Sequence, residues 1–183
     1  MAYWSIVRLI NESSENLTMT MAYSVQQHLH KVGVDYDLLA HPVSHSSLHT
    51  AHLAHLPACQ VVKAVLCHDG DNDLLCVIPS SHRIVFHWLN QMMNGQYQLV
   101  KEDELARVFD DCEPGAVPAL GQIYGFHVIW DECLQEMDNL YLESGDHEHL
   151  IHLNQGAFMQ LMGLQEHMTI SCPEEEYAEH LRM

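Results

Sequence analysis

QVVKAVLCHDGDNDLLCVIP, residues 60–79, decides how this chain folds. Two apolar runs, QVVKAVLCH and DLLCVIP, flank DGDN, a pattern that predicts two strands joined in a tight hairpin. One residue breaks the apolar pattern: Lys63. Alternation places Val61, Lys63, Val65 and Cys67 on one face and Val62, Ala64 and Leu66 on the other. Lys63 therefore stands among apolar neighbours whichever way the strand faces. A buried, unpaired ammonium is costly, so it sheds its proton or recruits an anion. The chain has only seven Lys and Arg among 183 residues. A cation at this place has two readings. It is a strand-edge lysine whose stem runs out to solvent, or a cleft lysine presented to an anionic or carbonyl-bearing ligand.

Outward from the hairpin, short helices and strands intersperse. MAYSVQQHLHKVG (21–33) predicts a helix with Val25, Leu29 and Val32 on one face and Gly33 as its stop. VDYDLL (34–39) predicts a strand. SSLHTAHLAHL (46–56) predicts a helix capped by Ser46 or Ser47 and ended before Pro57. SHRIVFHWLNQMM (81–93) reads as a helix capped by Ser80 or Ser81, QYQLV (96–100) as a short strand, and EDELARVF (102–109) as a helix. FHVIWD (126–131), NLYLESG (139–145) and HLIHL (149–153) read as strands. NQGAFMQLMG (154–163) is a closing helix between Asn154 as cap and Gly163 as stop. This order predicts an α+β (mixed α/β) domain built on a mixed sheet. Residues 1–20 are polar without a sustained period and read as an N-terminal extension. Residues 21–163 form the domain, and 164–183 a solvated acidic C-terminal tail.

The formal net charge of −18 argues against a general DNA or nucleic-acid binder, which needs cations to displace counterions from phosphates. A small local cationic site remains compatible with it, and Lys31, Arg83, Lys101 and Arg107 are the candidates to join Lys63; at least two are expected on its face. No run is long and apolar enough for a membrane span, and no basic stretch followed by an apolar one marks a secretory signal. Six cysteines without a CxxC pair fit free thiols in a reducing cytoplasm.

Two further groupings carry possible chemistry. In CEPGAVPALG (112–121), Pro114 and Pro118 restrict the backbone and Gly115 permits close approach of a ligand. Such a loop either holds backbone N–H groups ready for a carbonyl oxygen or is a structural turn. His45, His49, His52 and His55 fall on one helical stripe, and GDHEHLIH adds Asp146, His147, His149 and His152. His-x3-His spacing is compatible with a metal, but no local cysteine or glutamate completes a motif. A solvated stripe is the simpler reading, and no metal or cofactor is expected.

Taken in order, the lysine of QVVKAVLC, the Gly-x-x-Pro of CEPGAVPALG and the segment LYLESGDHEHLIHL resemble the YbaK/ProX family of aminoacyl-tRNA deacylase (editing) domains. That domain also occurs as an insertion in bacterial prolyl-tRNA synthetases. The opening LHKVGVDYDLLAHP, followed by the short helix before the lysine strand, is similar too, so the resemblance covers about residues 21–163. It implies a compact mixed sheet, partly barrel-like, flanked by helices. It implies hydrolysis of the ester joining a wrong small amino acid (alanine, cysteine or serine) to a tRNA 3′ end. The partners implied are the mischarged tRNA 3′ end and, further, an aminoacyl-tRNA synthetase. Lys63, Gly115, Asp146 and His147 are the implied catalytic candidates. Gly115, Ala116, Val117, Pro118, Ser144 and Gly145 join Lys63 as substrate-binding candidates. Many members carry a polar residue after the lysine, where this chain has Ala64. Alternatives are a catalytically silent binding module for a small acyl or nucleotide ligand or a protein, and metal handling through the histidine stripes.

Overall fold

The computed structural model describes residues 20–70, 72–105 and 107–180, so the extension expected over 1–20 lies, apart from Thr20, outside the described residues. The hairpin forms as read. Strand β2 (Val61–His68) pairs antiparallel with β3 (Asp73–Pro79), from Val62↔Pro79 to His68↔Asp73. On the β3 side, β6 (His127–Asp131) runs parallel, with Leu74 opposite His127 and Val77 opposite Trp130. Beyond it lies β9 (Glu166–Met168), also parallel. On the β2 side, β7 (Asn139–Glu143) runs parallel, followed by antiparallel β8 (His149–Asn154) and β1 (Asp37–Ala40). The order is thus β1-β8-β7-β2-β3-β6-β9, the mixed sheet that the sequence predicts.

The outer edge of β2 is shared. β7 pairs with it at Val61 and Val62, whereas the short β5 (Gln98–Leu99) pairs with it at Cys67 and His68. Between these contacts, at residues 63–65, the two neighbours diverge.

Both faces of the hairpin are covered, which is why its strands are nearly continuous apolar runs. On one face, Val62, Leu66, Val77 and Trp130 form a core with Val25 and Leu29 of α1 (Tyr23–Val32) and Phe158 and Leu161 of α5 (Gln155–Met162). Trp130 Nε1 donates to the Met162 carbonyl at 3.1 Å, and its ring meets Phe158 edge-on. On the other face, Cys67, Leu74, Cys76 and Ile78 pack with Ile84, Ile170 and Leu89 of α3 (Phe86–Met93). Local chemistry sets the helix ends. Ser46 Oγ accepts from His49 N–H to start α2 (Ser47–Leu53), Asn154 caps α5 through Ala157 N–H, and Gly33 ends α1 in the left-handed conformation.

Three expectations change. The helix expected from residue 81 begins at Phe86; before it, β4 (His82–Ile84) pairs with β10 (Ser171–Pro173). Of the helix expected over 102–109, the described residues form helix over α4 (Glu102–Leu105). The residues expected as a solvated tail are in part built into sheets, with Ile170 fully buried and a short α6 (Tyr177–His180) following. What holds this segment is a distant carboxylate: Asp131 Oδ2 accepts from Ile170 N–H and Ser171 N–H. All six cysteines are free. Among the described residues no helix is long and apolar enough to cross a membrane.

Trp130→Ala removes the largest fully buried side chain and its hydrogen bond. We expect a loss of about 3–5 kcal/mol, read as a lower midpoint in urea unfolding.

Candidate active site

The loop 112–118 and the turn after β7 are locked together. In the loop, Gly115 takes φ +90°, which suits glycine. Ala116 N–H bonds to the Glu113 carbonyl (2.9 Å) and Val117 N–H to the Gly115 carbonyl (3.0 Å), so those two donors are committed within the loop. The turn is organised by two carboxylates. Glu143 Oε1 accepts from the N–H groups of Gly145 (3.1 Å), Asp146 (3.3 Å) and His147 (3.1 Å). Asp146 Oδ1 accepts from Ser144 Oγ (2.8 Å), Glu148 N–H (2.9 Å) and His149 N–H (2.8 Å), while its Oδ2 lies 2.6 Å from His149 Nδ1.

Loop and turn then bond to each other. Glu113 N–H donates to the Gly145 carbonyl at 2.8 Å, and His147 Nε2 donates to the Pro114 carbonyl at 2.9 Å. Gly145, at φ +110°, is required by space as well as conformation: a Cβ there would lie 2.8 Å from Ala22 Cβ and 3.2 Å from Cys112 Sγ.

Two more segments close the cradle. His41 N–H bonds to the Glu148 carbonyl, Ser44 N–H to that of His147, and the His45 ring meets the His147 ring edge-on. From α1, Ala22 N–H reaches the Ser144 carbonyl (2.8 Å) and Ser24 N–H reaches Asp111 Oδ2 (2.8 Å). Burial pushes the Asp111 carboxyl up, but hydrogen bonds from Ser24 and from the Tyr124 hydroxyl outweigh it and hold the group below its ordinary value. Next to it, burial lifts the Cys112 thiol to about 12, so it stays protonated at neutral pH.

Lys63 lies on β2, the strand next to β7. Strand alternation puts Ala64 in the same core as Val117 of the loop, whereas Val65 and Cys67 pack in the other core. Lys63 therefore projects from the face of β2 opposite Ala64, beside the gap in the strand's edge. Its Nζ lies 3.4 Å from the Ser80 carbonyl. Burial lowers its pKa, the nearby Glu174 carboxylate opposes this, and Arg83 adds to the lowering. Arg83 itself pairs with Glu174 through Nε at 2.5 Å. Of the four cations expected around Lys63, Arg83 is near enough to act on it. Lys31 lies on α1, over the opposite face of the sheet.

The structure thus brings Gly115–Pro118 together with Ser144–His147, and Lys63 lies on the strand next to β7, whose Glu143 holds that turn. The histidine stripe does not form, because α2 is too short. His49 and His52 are exposed on it, while His45 precedes it and His55 follows it at φ +54°. Sequence reading missed Glu143, Asp111 and His41. Glu143 had a local signal, an acid two residues before a glycine. The roles of Asp111 and His41 rest on contacts made across the fold.

A mixed sheet whose glycine–proline loop closes on a carboxylate-held turn defines the class of domain. The family model described as "Aminoacyl-tRNA editing domain" matches residues 41–161, a span that includes Lys63, the loop and the turn. The chain belongs to this aminoacyl-tRNA editing domain family. Solved structures share its fold. The hypothetical protein APE2540 matches with a TM-score of 0.73 at 16% identity, over 81% of this chain and 99% of that one. A candidate trans-editing enzyme for prolyl-tRNA synthetase matches with a TM-score of 0.72 at 16% identity, over 86% and 99%. A candidate signal-transduction protein from Marinobacter aquaeolei VT8 matches with a TM-score of 0.65 at 18% identity, over 81% of this chain and 30% of that one. No curated protein sequence matches the chain significantly.

Removing the Glu143 carboxylate by Glu143→Ala strands three N–H groups. The expected cost is about 1–3 kcal/mol, with Glu143→Gln recovering part of it in urea unfolding, because its amide oxygen still accepts. Asp111 has a folded-state pKa below its ordinary 3.8, so its contribution to stability is present above 3.8 and is lost as pH falls through the lowered value. Wild type should therefore exceed Asp111→Asn in stability at neutral pH, and the gap should close on acidification, as measured by parallel denaturant titrations.

Proposed function

We propose that this protein is a trans-editing deacylase that hydrolyses the ester between a wrong small amino acid, of the alanine, cysteine or serine class, and the 3′ end of a tRNA. The family match over residues 41–161 is the observation that carries this reading. An aminoacyl ester is already activated. The protein must place it, stabilise charge growing on its carbonyl oxygen, and admit water; these steps require no cofactor.

In this reading Gly115 N–H is the donor for the carbonyl oxygen. Ala116 and Val117 bond within the loop, and Pro118 has no N–H. One such donor is worth roughly 3 kcal/mol of transition-state stabilisation. The Gly115–Pro118 backbone also forms a wall that excludes larger side chains. Steric exclusion can be strong, although one missing methylene is worth only about 1–3 kcal/mol.

Asp146 and His147 act as positioning residues. The Asp146 carboxylate is occupied by the turn, and His147 holds the loop through the Pro114 carbonyl. Ser144 and Gly145 set the floor of the cradle. Lys63, beside the gap in the β2 edge, takes the terminal phosphate or adenosine. The net charge of −18 does not forbid this, because salt screens distant charges over about 8 Å. A cytoplasmic location and contact with a synthetase accompany this role.

The second reading, a silent binding module, draws on the Glu174 carboxylate already set against Lys63 and Arg83, and on Ala64.

The test is deacylation of Ala-, Cys-, Ser- and Pro-charged tRNAs at two salt concentrations, with wild type and Lys63→Ala. Selective turnover of one small amino acid is expected, falling by about 100-fold in Lys63→Ala, a loss of the size general for a removed charge-stabilising group. Folded wild type without turnover at low salt would sink the deacylase. Adenosine-analogue binding under the same conditions would then favour the binding module.

A further inference from the structure

We propose that this protein binds one divalent cation of the zinc class through His82, Asp131 and Cys133, at a site separate from the loop and turn. The donors come from β4, from the end of β6 and from the turn after it, and their ligand atoms all lie within 4.8 Å of one another. His82 Nδ1 and Cys133 Sγ are 3.9 Å apart. Zinc bonds of about 2.0–2.1 Å to nitrogen and 2.3 Å to sulfur, at a tetrahedral angle, set those atoms about 3.6 Å apart. A shift of a few tenths of an ångström closes the pair on a metal.

The carboxylate is prepared for such a role. Asp131 is 1% exposed, and among the described residues no lysine or arginine pairs with it. A buried carboxylate without a cationic partner favours uptake of a cation. Its Oδ2 is fixed by Ile170 N–H (3.0 Å), Ser171 N–H (2.8 Å) and Ser171 Oγ (2.6 Å), while its Oδ1 accepts Cys133 N–H (3.0 Å) and the Cys133 thiol also bonds to this carboxylate. Hydrogen bonds of this kind orient a ligating carboxylate.

The cluster opens on a cavity of about 390 Å³, also lined by Glu132, Thr169 and Ser171, which provides an entry path and room for water as a further ligand. A second thiol, Cys59, is a neighbour of Cys133. Mixed nitrogen, sulfur and carboxylate donors select zinc-like ions over magnesium or calcium.

Burial and the Asp131 carboxylate push the free Cys133 thiol up from its ordinary value. A dication inverts that. On binding, the Cys133 S–H bond breaks, the proton leaves to solvent, and the sulfur bonds the metal. His82 Nδ1, now 3.0 Å from Ser171 Oγ, turns its lone pair to the ion and carries its proton on Nε2. The bound ion would join the β4–β10 pair to the main sheet and stiffen the segment that presents Arg83 and Glu174 to Lys63.

The test uses chelator-stripped, reduced, full-length protein titrated with Co²⁺ and then competed with Zn²⁺. One equivalent should bind with a thiolate-to-cobalt charge-transfer band, and Zn²⁺ should displace it and raise the melting temperature. Cys133→Ser should abolish the band, and Asp131→Asn should weaken affinity at least about tenfold, the scale known for groups that support a metal site. The pair His49→Ala/His52→Ala should change nothing. Folded wild type without the band overturns the proposal. So does binding that survives Cys133→Ser but is lost with His49 and His52, which would mean adventitious capture by exposed histidines. If Cys133→Ser does not fold, His82→Gln decides: a thiolate band retained at full affinity in that variant overturns the assignment.

Discussion

The antiparallel ladder between β2 and β3 carries apolar side chains on both faces, and neighbours on both sides take their register from it. Burial on two faces demands two cores. One is supplied by α1 and α5, the other by α3 together with Ile84 and Ile170. That demand draws in the segment after α5, because the second core is incomplete without Ile170. It also sets consecutive residues of β2 against different cores. Ala64 looks toward the core of Val117 and the loop, and Lys63 looks the other way.

The cradle depends on carboxylates used as acceptors for backbone N–H groups. Glu143, Asp146 and Asp111 each gather donors from turns or helix starts. A charged acceptor holding several N–H groups makes stronger bonds than a carbonyl does, and this rigidity is what a loop must have to place a backbone donor. The arrangement helps explain how an acidic chain uses some of its charge. Part of its excess of Asp and Glu is internal scaffolding.

On the Lys63 side the same chemistry runs in reverse. Asp131 pins Ile170 and Ser171, which carries Glu174 close to Arg83 and Lys63. The cations there are partly neutralised within the chain, so any anionic ligand must compete with Glu174. This couples the C-terminal segment, which lies beyond the residues matched by the family, to the lysine that lies within them.

The sequence by itself determined the features governed by neighbours along the chain. The hairpin followed from DGDN between apolar runs, the helix limits from Ser46, Asn154 and Gly33, and the mixed sheet from the order of elements. The glycine–proline loop and the ESGDH turn were also legible, as motifs. Their union was not, because the bonds from Glu113 to Gly145 and from His147 to Pro114 join residues about thirty positions apart. For the same reason HRI read as the start of a helix. Its partner strand, Ser171–Pro173, has no local signature, and a three-residue stretch with one apolar side chain fits either structure. Only the tertiary structure decided which face Lys63 takes, which carboxylates serve as acceptors, and that His82, Asp131 and Cys133 meet. Those outcomes depend on how two cores pack against one hairpin, and no window along the chain contains that packing.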